Sequence, residues 1–219
     1  MSRSDNVNEP EAAIVELLIH AGALKRLPRQ GWLHIGVENP ESVADHSYQT
    51  ALMTLLMAQH DPSIDVSRAL VLAICHDLPE AIAGDATPFD ATLEVEGVDR
   101  DLLFRSPPSY SEDADRAKRA AEESALDEMT ARLPDQLRRL IVDAWEEYEA
   151  GYTAEARFVR QIDKLEALLQ AREYRANMPD LRVESFELGA RERVCDPDLR
   201  RLMQTFLDIQ SDSDEPAKR

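Results

Sequence analysis

A chain of 219 residues with 43 acidic and 25 basic side chains carries a formal net charge of -18 and an isoelectric point of about 4.6. Such a field argues against nucleic acid or anionic membrane surfaces as partners held by overall charge. No stretch is apolar enough to span a bilayer, and "MSRSDNVNEPEAAIVELL" has acids where a secretory signal has a basic start, so a cytoplasmic protein is expected.

Runs rich in Ala, Leu, Glu and Arg recur at helical spacing while alternating Val, Ile, Thr or aromatic stretches are scarce, which predicts an all-α fold in a single domain. In chain order the pattern predicts helices over 11–24, 43–60, 66–83, 112–133, 135–150, 154–176 and 197–210. Residues 1–10 and the acidic tail 211–219 are polar and are expected to be disordered, leaving 11–210 as the folded domain. Start signals support several helices: Ser42 with Asp45 three residues on, Asp65, Pro134 with Asp135, and Thr153. Between 84 and 111 the periodicity fails and three prolines follow Thr87, so a long loop leaves the third helix as either a lid or a mobile insertion. Two cysteines cannot build a disulfide framework, and Cys75 reads as a buried core thiol.

Polar residues intrude on three of these helices. His46 lies near the side of helix 43–60 on which Val43, Tyr48, Ala51, Leu52, Leu55 and Leu56 are expected to face the core. A lone histidine there is usually a core residue satisfied by a carbonyl. His76 and Asp77, however, stand together on a second apolar helix, and Asp163 interrupts a third. Convergence of the three would present two imidazole nitrogens and two carboxylate oxygens, a set suited to Mn, Fe, Co, Ni or Zn. Glu80, four residues after His76, is expected one turn along the same face, where it could hold or deprotonate a water. Asp85 follows Gly84, which is expected to end that helix; a solvated helix end is the competing reading for both acids.

The blocks "PESVADHSYQTALM", "ICHDLPEAIAGDATP" and "FVRQIDKLEALLQAREY" resemble those of the HD-domain metal-dependent phosphohydrolases. With "LKRLPRQGW" and "AWEEYEAGYTAEARFV" the chain is similar, more narrowly, to the 5'-deoxynucleotidases, from about residue 13 to 207. The resemblance implies a helical HD-domain bundle, commonly a homodimer, in which His46, His76, Asp77 and Asp163 bind one divalent ion (Mn, Co, Fe, Ni, Zn or Mg). It also implies Glu80 and Asp85 as catalytic acids and a small phosphate ester, a deoxyribonucleoside 5'-monophosphate, as substrate. A phosphate needs a local cation in so acidic a chain, and Arg29, with Arg26 second, is the expected contact; cations favoured at a helix C-terminus are the competing reading.

Lys164 and Glu166 flank Asp163 and read as supporting partners or surface groups, and Glu122 lies on a helix that could return to the site. Three other functions compete: a phosphatase for another nucleotide or specialised metabolite, a two-iron HD oxygenase, and a non-catalytic helical interaction protein stabilised by metal. All five histidines precede Asp77, which leaves a two-iron site poorly supplied.

Overall fold

A computed structural model describes residues 9–211, and these form helices without strands, apart from one isolated bridge between Pro28 and Ser42. Most of the expected disordered ends, residues 1–8 and 212–219, lie outside the described residues; Glu9 and Pro10 already belong to the first helix, and Ser211 closes the last.

The long helices are α1 (Glu9–Ala21), α3 (Val43–Met57), α4 (Val66–Cys75), α8 (Glu112–Thr130), α9 (Asp135–Ala150), α10 (Ala154–Asn177), α11 (Glu184–Arg193) and α12 (Pro197–Ser211). Short helices intervene: α2 (Gln30–His34), α5 (Glu80–Ala83), α6 (Asp90–Leu93) and α7 (Arg100–Leu103). The expected caps at Ser42, Asp65 and Thr153 each accept a backbone N–H, and Ser42 with Asp45 closes a reciprocal capping box. Pro134 caps α9 without a side-chain bond, so Asp135 acts there only as a first-turn acid.

α10 is the axis of the bundle and packs against α3, α4, α9, α11 and α12. Its Phe158, Val159, Ile162, Leu165 and Leu168 are buried among Leu72, Ala73, Tyr148 and Leu199. Each fully buried aliphatic side chain there contributes about 1.5–3 kcal/mol. This apolar investment fixes in place a helix that also carries buried Asp163 and Glu166.

Four expectations are corrected. The helix predicted over 66–83 is two helices, because Pro79 lacks an N–H and residues 76–79 form a turn held by i to i-3 bonds from Leu78 to Cys75 and from Glu80 to Asp77. The core side of α3 is Val43, His46, Thr50, Met53 and Thr54, whereas Tyr48 (69 % exposed), Leu52, Leu55 and Leu56 face outward. Hydrophobicity misled here since the inner face holds the polar residues. The segment 84–111 is no featureless loop: it contains α6 and α7, is docked by Asp90 to His34 and by Arg182 to Asp101, and is folded on itself by the Phe89–Phe104 ring pair. α2 and α11, both unpredicted, meet where Trp32 stacks on Phe186 with ring centroids 4.0 Å apart.

Candidate metal centre

α3 carries His46 on its second turn, wholly buried, and the Ser42 capping box sets the helix entry. His76 and Asp77 begin the turn after α4, and Asp163 sits mid-way along α10. Bending the chain at 76–79 turns neighbouring side chains inward together, something a straight helix does less well. The Nε2 atoms of His46 and His76 lie 3.4 Å apart. Asp77 Oδ2 is 3.1 Å from His76 Nε2 and 3.6 Å from His46 Nε2, and Asp163 Oδ1 is 3.3 Å from His46 Nε2.

His46, His76 and Asp77 present donor atoms that all lie within 4.8 Å of one another, a spacing that fits one divalent ion, and Asp163 Oδ1 borders this group at His46. Ligands about 2.0–2.2 Å from a common centre lie about 3–3.5 Å from each other at tetrahedral or octahedral angles. The chemistry agrees with the spacing. His76 Nδ1 donates to the Ala73 carbonyl (2.8 Å) and His46 Nδ1 to Glu166, so both Nε2 atoms are left as lone-pair donors facing one another and two carboxylates. Tyr148 donates to Asp163 Oδ2 (3.1 Å) and Lys164 pairs with the same oxygen (3.0 Å), which frees Oδ1 for the centre.

Without a cation, protons take up part of the imbalance. Burial and Arg29 oppose a charge on His46, yet Glu166 and Asp163 outweigh them and hold its pKa well above the ordinary value. Burial raises Asp77, but His76, Arg29 and His46 overcome it and keep the carboxylate well below its usual range. A divalent ion held by these residues would take the place of the proton on His46, so its binding would release protons.

Glu166 is wholly buried and its contact with His46 Nδ1 fixes the imidazole tautomer. It stands three residues after Asp163, one turn on and inward, so of its two sequence readings, supporting partner or surface group, the burial favours the first. Glu41 lies beside it, bonded by Trp32 Nε1 (2.8 Å), and burial together with Glu166 pushes the Glu41 pKa up to about 7. Replacing Glu166 by leucine is expected to weaken divalent-metal affinity about 10–100-fold, the usual cost of losing a histidine's supporting carboxylate. Competition against a fluorescent chelator measures this, and an unchanged affinity would reduce Glu166 to a space-filling role.

Beside the four donors, Glu80 is 3 % exposed and its Oε2 has no hydrogen-bond partner. Burial, then Asp77 and Asp85, push its pKa well above the ordinary value, against Arg29 and Lys118. Arg29 Nη1 reaches Asp77 (3.2 Å), Asp85 (3.5 Å) and Glu80 (4.0 Å). Asp85 Oδ2 also accepts the Gln30 N–H at 2.7 Å, so both of its oxygens are engaged. Gly84, at φ +84°, makes the turn into Asp85 in a conformation that strains any other residue. These acids are therefore not a solvated helix end. Arg26 is exposed and not among the pocket's lining residues, so only Arg29 of the two expected cations is brought to the site.

The site opens into a cavity of about 720 Å³, within the range of small-molecule sites. Arg29, Asp77, Glu80, Asp85 and Asp163 line one end, while Pro88, Phe89 and Tyr110 of the 84–111 segment form part of the wall.

A helical bundle with a histidine–aspartate turn facing a distant aspartate defines a metal-binding hydrolase-like class, and comparison with known proteins makes the class specific. The HD domain family model matches residues 21–194, so the chain belongs to the HD domain family, whose members imply a divalent metal ion. The chain is 35 % identical over 174 residues to 5'-deoxynucleotidase HDDC2 of Xenopus laevis, covering 80 % of this chain and 75 % of that protein. It is 34 % identical over 194 residues to 5'-deoxynucleotidase HDDC2 of Mus musculus, covering 88 % and 85 %. Among solved structures, a conserved hypothetical protein from Pyrococcus furiosus superposes with a TM-score of 0.65 at 32 % identity, covering 88 % of this chain and 98 % of that one.

Proposed function

We propose that this protein is a metal-dependent phosphomonoesterase that removes the 5'-phosphate from deoxyribonucleoside 5'-monophosphates, with His46, His76, Asp77 and Asp163 as ligands of one ion. The observation that carries the reading is the pair of Nε2 atoms 3.4 Å apart beside the Asp77 and Asp163 carboxylates, with the buried Glu80 Oε2, which accepts no hydrogen bond, near them. The kinship to proteins named 5'-deoxynucleotidase over most of the chain supplies the substrate class.

A divalent ion held there supplies Lewis acidity, acidifying water and neutralising phosphoryl charge. The protein's own groups do the rest. Glu80 Oε2 accepts a hydrogen bond from the attacking water and takes its proton as oxygen bonds to phosphorus. Its raised pKa suits it to hold that proton and return it to the 5'-oxygen as the P–O bond breaks. Arg29 is a fixed cation for a phosphoryl oxygen, and Asp85 locks Arg29 in place. The metal in the cell is taken to be Mn or Co, with Fe, Ni, Zn and Mg as the alternatives to be tested.

We also infer a homodimer. On α3, Tyr48, Leu52, Leu55 and Leu56 make an exposed apolar stripe, and α1 adds Val15, Leu18 and Ile19 at 54–70 % exposure. The α3 stripe, with Tyr48, Leu52, Leu55 and Leu56 on one helix side, is apolar surface of the kind that marks an association face. Leu56→Glu is expected to halve the mass seen by light scattering with the far-ultraviolet spectrum unchanged; a variant of unaltered mass would place the interface elsewhere. Among the described residues no helix is long and apolar enough to cross a membrane, and the two cysteines are free, as a cytoplasmic location would leave them.

The substrate assignment is tested with metal-loaded protein on a panel of deoxyribo- and ribonucleoside 5'-monophosphates, 3'-monophosphates, di- and triphosphates. Preference for the deoxy 5'-monophosphates is expected. Cleavage confined to another ester would make this a phosphatase of different specificity, and no cleavage with metal bound would favour a structural role for the ion.

A further inference from the structure

α8 carries two neighbouring ion pairs of the same i,i+4 spacing and opposite character. Arg119 and Glu123 are an ordinary solvated pair, with side chains 43 % and 54 % exposed. Lys118 and Glu122 turn inward: Glu122 is 3 % exposed, the Lys118 side chain is 22 % exposed, and Lys118 lines the same cavity as Asp77, Glu80 and Arg29. Glu122 sits where a carboxylate is disfavoured, and burial pushes its pKa up to about 7 although Lys118 lowers it. An exposed helix face gains only a few tenths of a kcal/mol from such a pair, which would not account for a carboxylate buried to hold a lysine.

The charges around the candidate centre show what Lys118 is for. Arg29 is shared between Asp77 and Asp85, and Lys164 pairs with Asp163. Glu80 has Arg29 at 4.0 Å and is otherwise offset by Lys118, which α8 brings close through its packing on α5. A phosphate ester entering this end brings about two further negative charges. Of the three N–H donors of an ammonium, Glu122 takes one and leaves the others to the pocket.

We propose that Lys118 is a further catalytic residue, its ammonium held by Glu122 and donating from α8 to a phosphoryl oxygen of the bound ester. The proposal rests on the phosphomonoesterase reading. Lys118 transfers no proton: it remains charged throughout and stabilises the negative charge carried by the phosphoryl group as water displaces the 5'-oxygen.

The test uses full-length, metal-loaded Lys118→Met and Lys118→Arg proteins. Inorganic phosphate affinity is measured by calorimetry, kcat/KM on a deoxyribonucleoside 5'-monophosphate, metal per chain by elemental analysis, and Tm by calorimetric scan. Lys118→Met is expected to lose about 100-fold in kcat/KM, the scale of one anion-stabilising donor, and about tenfold in phosphate affinity, with metal content and Tm retained. Lys118→Arg is expected to recover most of the phosphate affinity. Phosphate affinity and kcat/KM within twofold of wild type in Lys118→Met would overturn the proposal, as would a loss traced to lost metal. Should Lys118→Met fail to fold, Lys118→Gln is judged by the same readouts. If the wild type binds phosphate yet cleaves no monophosphate, the function reading falls while Lys118 is still judged on phosphate affinity.

Discussion

Asp77→Ala is expected to abolish turnover and most metal binding together. Asp77 Oδ2 lies within 3.6 Å of both histidine Nε2 atoms and of Arg29 Nη1, so a single oxygen serves the ion and the substrate-facing cation. Its removal leaves three donors, two of them neutral, and a divalent ion held by one carboxylate instead of two. The expected result is a fall of at least about a thousandfold in kcat/KM, equivalent to about 4 kcal/mol of transition-state stabilisation. Elemental analysis after gel filtration should find little metal. A fully active, metal-replete Asp77→Ala protein would remove the proposed ligand set.

Glu80→Gln is expected to behave oppositely in its metal content. The Glu80 side chain bonds to none of the four donors, and its backbone bond to Asp77 survives the substitution, so metal per chain should match wild type while kcat falls about 10²–10⁴-fold, the range of a positioned acid–base group. The metal-free protein should also gain stability. Because the folded-state pKa of Glu80 is raised, chiefly by burial, its contribution is fully present below the ordinary carboxylate pKa and is lost as pH rises through the folded value. Near neutral pH a neutral Gln removes that penalty, and Tm should exceed wild type. Wild-type turnover in Glu80→Gln would end its part in the mechanism, and a lower Tm would contradict the burial argument. The pair of variants separates holding the ion from handling the water.

The helical class and the long helices were legible because α4, α9, α10 and α12 repeat apolar residues at helical spacing and because Ser42, Asp65 and Thr153 are side-chain caps. The polar residues His46, His76, Asp77 and Asp163 could be nominated from sequence as intruders on apolar helices, while the approach of His46, His76 and Asp77 to 3.1–3.6 Å, with Asp163 3.3 Å from His46, is a property of packing. α3 shows where the reasoning failed. Its most apolar side faces outward and its inner side carries His46, Thr50 and Thr54, so hydrophobicity located a surface rather than the core. The break at Pro79 was visible as a proline but hidden by the apolar residues on either side of it. Short helices such as α6 and α7 owe their place to distant partners, His34 and Arg182, which local periodicity does not register. Lys118 escaped for a related reason, since it is a common helical residue whose meaning depends on what lies across the pocket; Glu166 was named only as a supporting or surface group, because sequence does not show which side of α10 is buried.

The central claim joins an ion to ester cleavage, and a metal titration tests it most directly. Chelator-stripped protein would receive Mn or Co in increments while phosphate release from a deoxyribonucleoside 5'-monophosphate and bound metal are followed together. Release that rises with occupancy and saturates at one ion per chain is the predicted result. Undiminished release from the stripped protein, or one ion bound with no release at saturation, would contradict it.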